Sequence, residues 1–295
     1  MVVSQTNEPV AQPLPSSHAQ ISATWWRCSA GPQDGARTEL HRQHSLSFVT
    51  RGSFGCRCRG RHVELAGGAL FVGHPGDEYR CTHEHHGGGD ECLSFTFDAE
   101  VVEQIGADRA AWQCVALPPL PALAPLGELA RATADGRTAL ALDEIGMWLA
   151  TRVVSLHRDG GAAPATREPS ARDRRRALRA AEWIEAHCSA PLDLDRVAAE
   201  LGSSRYHFLR LFTRVVGATP HQYLIRCRLR LAARLLAEES QPITEVAFDC
   251  GFGDLSNFVR TFRRAAGMSP RDFRRTALTP RRRSRSSAGS AATPR

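Results

Sequence analysis

Two groups of residues have types and spacings suited to chemistry. The first lies between Gly76 and Cys92, where two thiols (Cys81, Cys92), three imidazoles (His83, His85, His86) and several carboxylates crowd into seventeen residues. Alternate side chains of an extended chain share a face, so Cys81, His83 and His85 point the same way if this stretch is a strand. Thiolates and neutral imidazoles bind zinc or a similar borderline ion. Cys81, His83, His85 and Cys92 are therefore the candidate ligands, and His74, Cys56 and Cys58 are near enough in sequence to join them. The spacing matches no standard zinc knuckle. The same segment also reads as a redox-sensing thiol pair or as a solvated polar hairpin tip.

The second group is a pattern that occurs twice. Phe208-x-Arg210-x-Phe212, followed by Gly217-x-Thr219-Pro220-x-x-Tyr223, returns fifty residues later as Phe258-x-Arg260-x-Phe262 and Gly267-x-Ser269-Pro270-x-x-Phe273. Each copy follows a short helical stretch, Val197-Ala198 to Leu201-Gly202 and Val246-Ala247 to Cys250-Gly251. This is the pattern of a helix-turn-helix, in which a first helix braces a second that enters the major groove of DNA. Gly202 and Gly251 are placed to stop the brace helices. Ser204 and Asp254 are placed to cap the next ones. Phe208, Leu211 and Phe212, like Phe258, Val259 and Phe262, fall on the inner face at helical spacing. That leaves Ser204, Arg205, Tyr206, Leu209 and Arg210 in copy one, and Leu255, Ser256, Asn257 and Arg260 in copy two, beside or on the outer face. Arg and Asn there can hold base edges bidentately, and the arginines can equally clamp phosphates.

The elements that position these groups divide the chain unevenly in charge. Residues 171–295 carry 24 Arg against 12 acidic residues, whereas residues 1–170 carry 14 against 19, and no lysine is present. The C-terminal part suits a polyanion and the N-terminal part would repel one. The sequence has no run of eighteen apolar residues and no basic-then-apolar leader, which predicts neither a membrane span nor a signal peptide and places the chain in the cytoplasm. The nine cysteines then read as reduced thiols.

Residues 1–20 are polar and Pro-rich, which predicts disorder. Residues 21–158 read as one domain. Short β-like runs (47–51, 53–59, 62–65, 70–72 and 92–97) separated by glycines suggest a small antiparallel barrel or sandwich. Asp98 is placed to cap a short helix carrying Val101, Val102 and Ile105. Leu142, Ile145, Leu149, Val153 and Leu156 form a helical stripe that could pack on the barrel or form a dimer seam. Residues 159–172 have linker composition, residues 173–277 hold the repeat, and residues 278–295 read as a disordered basic tail. Thr219-Pro220 and Ser269-Pro270 are helix starts, a hydroxyl cap followed by Pro. The helix from Pro220 to about Glu238 would span roughly 28 Å at 1.5 Å per residue, near the roughly 34 Å turn of B-DNA, so one chain could read two successive major grooves.

The run from about Leu178 to Arg275 resembles the DNA-binding domain of the AraC/XylS family of bacterial transcription regulators. The segment Gly251-Phe252-Gly253-Asp254-Leu255-Ser256-Asn257-Phe258-Val259-Arg260-Thr261-Phe262, with Gly267-x-Ser269-Pro270-x-x-Phe273-Arg274, carries the resemblance. It departs at Leu255, where the family often has a polar residue, and contact with a thymine methyl is expected there. The resemblance implies seven helices in two subdomains joined by the long helix. It also implies a cupin-like N-terminal β-barrel for an effector or for dimerisation, double-stranded promoter DNA and RNA polymerase as partners, and activation of transcription. Phe48-Val49-x-x-Gly52 and Leu70-Phe71-Val72-x-x-Pro75-Gly76-x-x-Tyr79 resemble strands and turns of such sensor domains.

The expected fold is thus α+β in two domains, a cupin-like barrel with flanking helices and then an all-α double helix-turn-helix. The effector is a metal at the Cys/His segment or a small organic molecule near Phe48, Phe71 and Phe95. Two other readings compete. His83-x-His85 is a fragment of the first motif of metal-dependent cupin enzymes, although the rest of that pattern is not convincingly present. An architectural DNA binder without a sensor would leave the acidic N-terminal part unexplained.

Overall fold

The computed structural model describes residues 9–16, 20–83, 89–105, 109–138, 140–158, 169–191, 193–200, 203–238 and 241–278. The N-terminal part is built from β1 (Val10–Leu14), β2 (Ile21–Cys28), β3 (Arg37–Leu40), β4 (His44–Cys58), β5 (Arg61–Ala66), β6 (Leu70–Gly73), β7 (Glu78–Thr82) and β8 (Asp90–Phe97). Helices α1 (Ala99–Gln104) and α2 (Arg109–Gln113), the short β9 (Ala116–Leu117), α3 (Ala124–Ala134) and α4 (Leu142–Arg158) follow. The C-terminal part is helical: α5 (Ala171–Ala186), α6 (Leu194–Glu200), α7 (Arg205–Val216), α8 (Pro220–Glu238), α9 (Ile243–Asp249), α10 (Leu255–Ala266) and α11 (Pro270–Leu278).

The strands form a cupin-like antiparallel sheet in the order β1-β2-β8-β4-β6-β9, with β7 and β5 also paired to β4 and β3 paired to β7. Among the described residues the ladder stays open, with β1 and β9 at the ends of the main path. The long β4 belongs to both halves of the sheet. The sequence suggests two strands here, split at Gly52, but the chain continues through a register shift between Val49 and Arg51, with Gly52 at φ +73°. An irregularity of this kind bends the strand and lets one strand serve two sheet halves.

Two further expectations are corrected, and one open choice is decided. The stretch 1–20 is not wholly irregular, because Val10–Leu14 pairs with β2 from Val10↔Arg27 to Leu14↔Ala23. Its side chains are mostly exposed, so main-chain pairing with β2 is its chief hold, helped by Leu14 against the core, and no apolar pattern marks it. Asp98 precedes α1 but makes no side-chain cap, and its carboxylate accepts a bond from Gln43 Nε2 (2.9 Å). The stripe on α4 is used within the chain: Leu142, Ile145, Leu149 and Val153 are buried in the core against the sheet.

Strand alternation gives the sheet two different faces. On β4 and β8, Leu46, Phe48, Leu93, Phe95 and Phe97 face α3 and α4 in the core. The intervening Ser45, Ser47, Cys92, Ser94 and Thr96 line a cavity on the other side. Helix α3 approaches β4 closely at Gly127, where an added Cβ would lie 2.1 Å from the Phe48 ring. Only glycine permits that approach.

The two parts of the chain share one core. Leu123, Ala124, Leu129 and Ala130, in and just before α3, belong to the same buried cluster as Leu229, Ala232, Ala233 and Leu236 of α8. Arg226 of α8 is buried beneath the Gly67-Gly68 turn, 4.9 Å from the Tyr223 ring centroid and 3.8 Å from Glu185. Arg174 of α5 bonds Glu64 of β5 (2.7 Å). Arg131 and Arg137 both pair with Glu238 at the end of α8. The sheet-bearing part of the chain therefore packs directly on α8.

Candidate nucleic-acid interface and ligand cavity

The repeat folds as two matched units. Helix α9 begins 49 residues after α6, and α10 begins 50 residues after α7, so the turn of the second unit is one residue longer. Ser204 caps α7 by accepting from the His207 main-chain N–H (3.3 Å), and Asp254 caps α10 by accepting from Asn257 N–H (2.7 Å). Thr219 Oγ1 accepts from Gln222 N–H while Gln222 Oε1 accepts from Thr219 N–H, a reciprocal cap at the start of α8. Gly251 stops the second brace at φ +82°. Leu201 and Gly202, assigned to the first brace by the sequence, lie outside the described residues. Losing the Asp254 carboxylate removes one cap, so Asp254→Ala is expected to lower stability by about 1 kcal/mol. Urea unfolding would show it, together with weaker DNA binding as the first turn of α10 frays.

Phe208, Leu211 and Phe212 are buried under α7, and Phe258 and Phe262 under α10. Val259, assigned to the core by the sequence, is only partly buried and lines a groove with Leu255, Ser256, Arg260, Arg263, Arg264 and Gly267. Ser204, Arg205, Tyr206 and Arg210 are exposed on α7 and its cap, and Leu209 is half-buried beside them. On α10, Leu255, Ser256 and Arg260 are exposed and Asn257 is half-buried. Tyr206 is 70% exposed, too open for a core role. Arg210 lies 5.7 Å over the Tyr206 ring, and Arg260 donates to Asn257 Oδ1 (3.3 Å). These contacts hold each arginine near a second side chain of its own recognition helix. Arg205 pairs with Asp195 at 3.3 Å, an exposed and therefore weak bond that a phosphate could displace.

The cavity on the other face of the sheet has a volume of about 740 Å³. Hydroxyls of Ser45, Ser47, Ser94 and Thr96 face it from one side, and Phe54, Phe71, Tyr79 and His41 from the other. Ser94 donates to Ser47 (2.7 Å), and Tyr79 donates to Glu39 (2.6 Å). Of the three phenylalanines placed near an effector by the sequence, Phe71 lines the cavity. Phe48 and Phe95 point to the helix side. They occupy the opposite phase of the strand alternation, which phenylalanine content alone does not reveal.

His41 stacks on Tyr79, with centroids 4.2 Å apart. Burial, helped by Arg59 and His74 and opposed by Asp77, lowers its imidazole from 6.5 to about 4. Its native form stays neutral where the unfolded chain would protonate. Stability should therefore be intact above about pH 6.5 and decline as pH falls toward 4, by roughly 3 kcal/mol at most. Urea midpoints between these values would show the decline, and His41→Phe should flatten it.

The Cys/His segment is only partly assembled as expected. His83 closes on Cys28 and Asp90: its Nε2 lies 3.6 Å from Cys28 Sγ and 3.1 Å from Asp90 Oδ1. Cys81 instead faces Cys56, its directly opposed partner across β4 and β7. Cys92 directs its thiol to Asp90 Oδ2 (3.7 Å). Both line the same cavity. His85 lies outside the described residues. His74 bonds the Pro75 carbonyl, and Cys56 and Cys58 are buried. Burial by itself would lower His83, but the bonds and charges of Asp90 and Cys28 outweigh it and raise the imidazole to about 10. The Cys81 thiol is pushed up by its bond to Cys56 and by burial, and the Cys92 thiol by burial and Asp90. Thiols held protonated are poor nucleophiles, which disfavours redox sensing at these two positions.

Residues 197–276 match the family model described as a helix-turn-helix domain, and residues 29–150 match the model described as an AraC-like ligand binding domain. The regulatory protein SoxS of Salmonella typhimurium is 38% identical over 93 residues, covering 32% of this chain and 87% of SoxS. The chain belongs to the AraC/XylS family. Its C-terminal part carries the helix-turn-helix domain and its N-terminal part the AraC-like ligand binding domain. The probable transcriptional regulator LumQ of Photobacterium leiognathi is 40% identical over 88 residues, 30% of this chain and 36% of LumQ, so the match spans about a third of that relative's length. The DNA-binding domain of AdpA, solved with a target DNA, is 34% identical over 33% of this chain and 88% of that chain, with a TM-score of 0.32.

In this AraC/XylS member, the sequence does not single out Arg263 and Arg264 beside the α10 groove, or Cys28, Asp90 and His41 in the cavity. The arginines carried a signal in the basic run after Phe262. Cys28 carried none, because it lies 55 residues from His83 and only strand pairing joins them.

Proposed function

We propose that this AraC/XylS member acts in the cytoplasm by placing α7 and α10 in successive major grooves of promoter DNA, under control of a ligand held in the sheet cavity. One observation carries the reading: two capped helices with polar outer faces are joined by α8, and the inner side of α8 is packed on the sensor helix α3. The cavity strands β4 and β8 bear α3 and α4 on their opposite face. A ligand that shifts those strands would bias α3 against α8, and so the relation of the two recognition helices. Activation through RNA polymerase and self-association belong to the same proposal. The relatives are regulatory proteins, which favours this over a cupin enzyme fused to a DNA-binding domain. No helix among the described residues is long and apolar enough to cross a membrane.

Footprinting of the purified chain on DNA flanking its own gene tests the proposal. Two protected major-groove segments about one helical turn apart are expected, with affinity falling steeply as salt rises. Protection of one segment only, or none at low salt, would overturn the two-groove reading.

A further inference from the structure

We propose that Cys28, His83 and Asp90 form a three-ligand site for a divalent ion of the zinc type, with a remaining coordination position open to the cavity. Pairing of β2 with β8 sets Cys28 directly across from Asp90. The chain leaving β7 brings His83 over both. The three donor atoms all lie within 4.8 Å of one another.

Two of the three donor separations fit a tetrahedral ion. Zinc bonds of about 2.3 Å to sulfur and about 2.0–2.1 Å to nitrogen and oxygen place neighbouring S and N donors about 3.5 Å apart, and N and O donors about 3.3 Å apart. The observed separations are 3.6 Å and 3.1 Å. His83 and Asp90 are each only 9% exposed, so their placement is fixed by the fold rather than by a mobile surface. Cys92, which contacts the second Asp90 oxygen, would orient that carboxylate from outside the coordination sphere. Thiolate, imidazole and carboxylate together select a borderline ion over magnesium or calcium. All three ligands also line the 740 Å³ cavity, so a donor atom of a small molecule could complete the sphere. Metal binding itself does not depend on the regulatory reading. Any effect of the metal on DNA does rest on it.

The experiment uses the full, untagged chain, stripped with chelator and titrated with cobalt(II). The expected result is a stoichiometric tetrahedral spectrum with a thiolate charge-transfer band, bleached by zinc(II). Cys28→Ser should remove the thiolate band. Asp90→Asn and His83→Gln should weaken binding by more than about 100-fold, beyond the 10–100-fold typical of losing an outer-shell partner. Cys81→Ser should leave the spectrum unchanged. Each variant is checked for native circular dichroism, and Cys28→Ser is the smallest change if the others unfold. An octahedral spectrum, no saturable binding, or a thiolate band that survives Cys28→Ser and disappears with Cys81→Ser would overturn the site. A footprint measured with and without zinc separates this from function: a metal-independent footprint leaves the site standing and removes the metal as the regulator's signal.

Discussion

Replacing Phe262 with alanine is expected to destabilise the chain by about 3–5 kcal/mol. Phe262 is fully buried, 5.7 Å from the Phe258 ring and 5.2 Å from that of Phe273. It belongs to the cluster that α3, α8, α10 and α11 share. Truncation would leave a cavity where the second recognition helix meets both its brace and the sensor side. The urea midpoint should fall and sequence-specific DNA binding should weaken with it. A loss below about 1 kcal/mol would mean that this cluster does not position α10. Because the cluster also contains Leu229, Leu236 and the apolar residues of α3, a fragment beginning near Ala171 would expose an apolar seam along α8 that the intact chain covers.

The combination of Arg210→Ala with Asn257→Ala is expected to cost about 2–6 kcal/mol of DNA affinity at fixed salt. Each side chain is worth about 1–3 kcal/mol if it reads a base edge. They sit on different helices at opposite ends of the roughly 28 Å α8, so their losses should add. At tenfold per 1.4 kcal/mol, affinity would fall by about 30-fold to 10⁴-fold. Each single change should act mainly on its own half-site. Titrations on operators with one half-site scrambled would resolve this. Equal losses from both changes on any sequence would assign the two side chains to phosphates, and the salt dependence would then weaken with each.

The helical part was largely legible because its signals are local. A cap, a helical apolar spacing and a Thr-Pro or Ser-Pro start lie within a few residues of what they determine. Ser204, Asp254 and Thr219 accordingly make the caps their positions suggested, and α8 runs from Pro220 to Glu238 as its start and length implied. Val259 packs against the core and also borders the groove, because a residue at the edge of a helical stripe can face both.

The sensor part was legible only in outline. Alternation marked the strands but not their partners, since every position on a strand has two possible faces and several possible neighbours. The α4 stripe illustrates the ambiguity. Its spacing suited a sheet or a second helix equally, and the fold settled it by laying α4 on β2.

The sequence by itself determined the doubled helix-turn-helix, its caps, its outward-facing residues and its excess of positive charge, because chemistry within one or two helical turns fixes each of these. Only the tertiary structure decided that His83 meets Cys28 and Asp90 rather than Cys81, that the serine face of β4 and β8 borders the cavity while Phe48 and Phe95 do not, and that α3 grips α8. Those outcomes depend on strand register and on helix packing between residues far apart in the chain, and spacing along a sequence does not encode distance across a sheet.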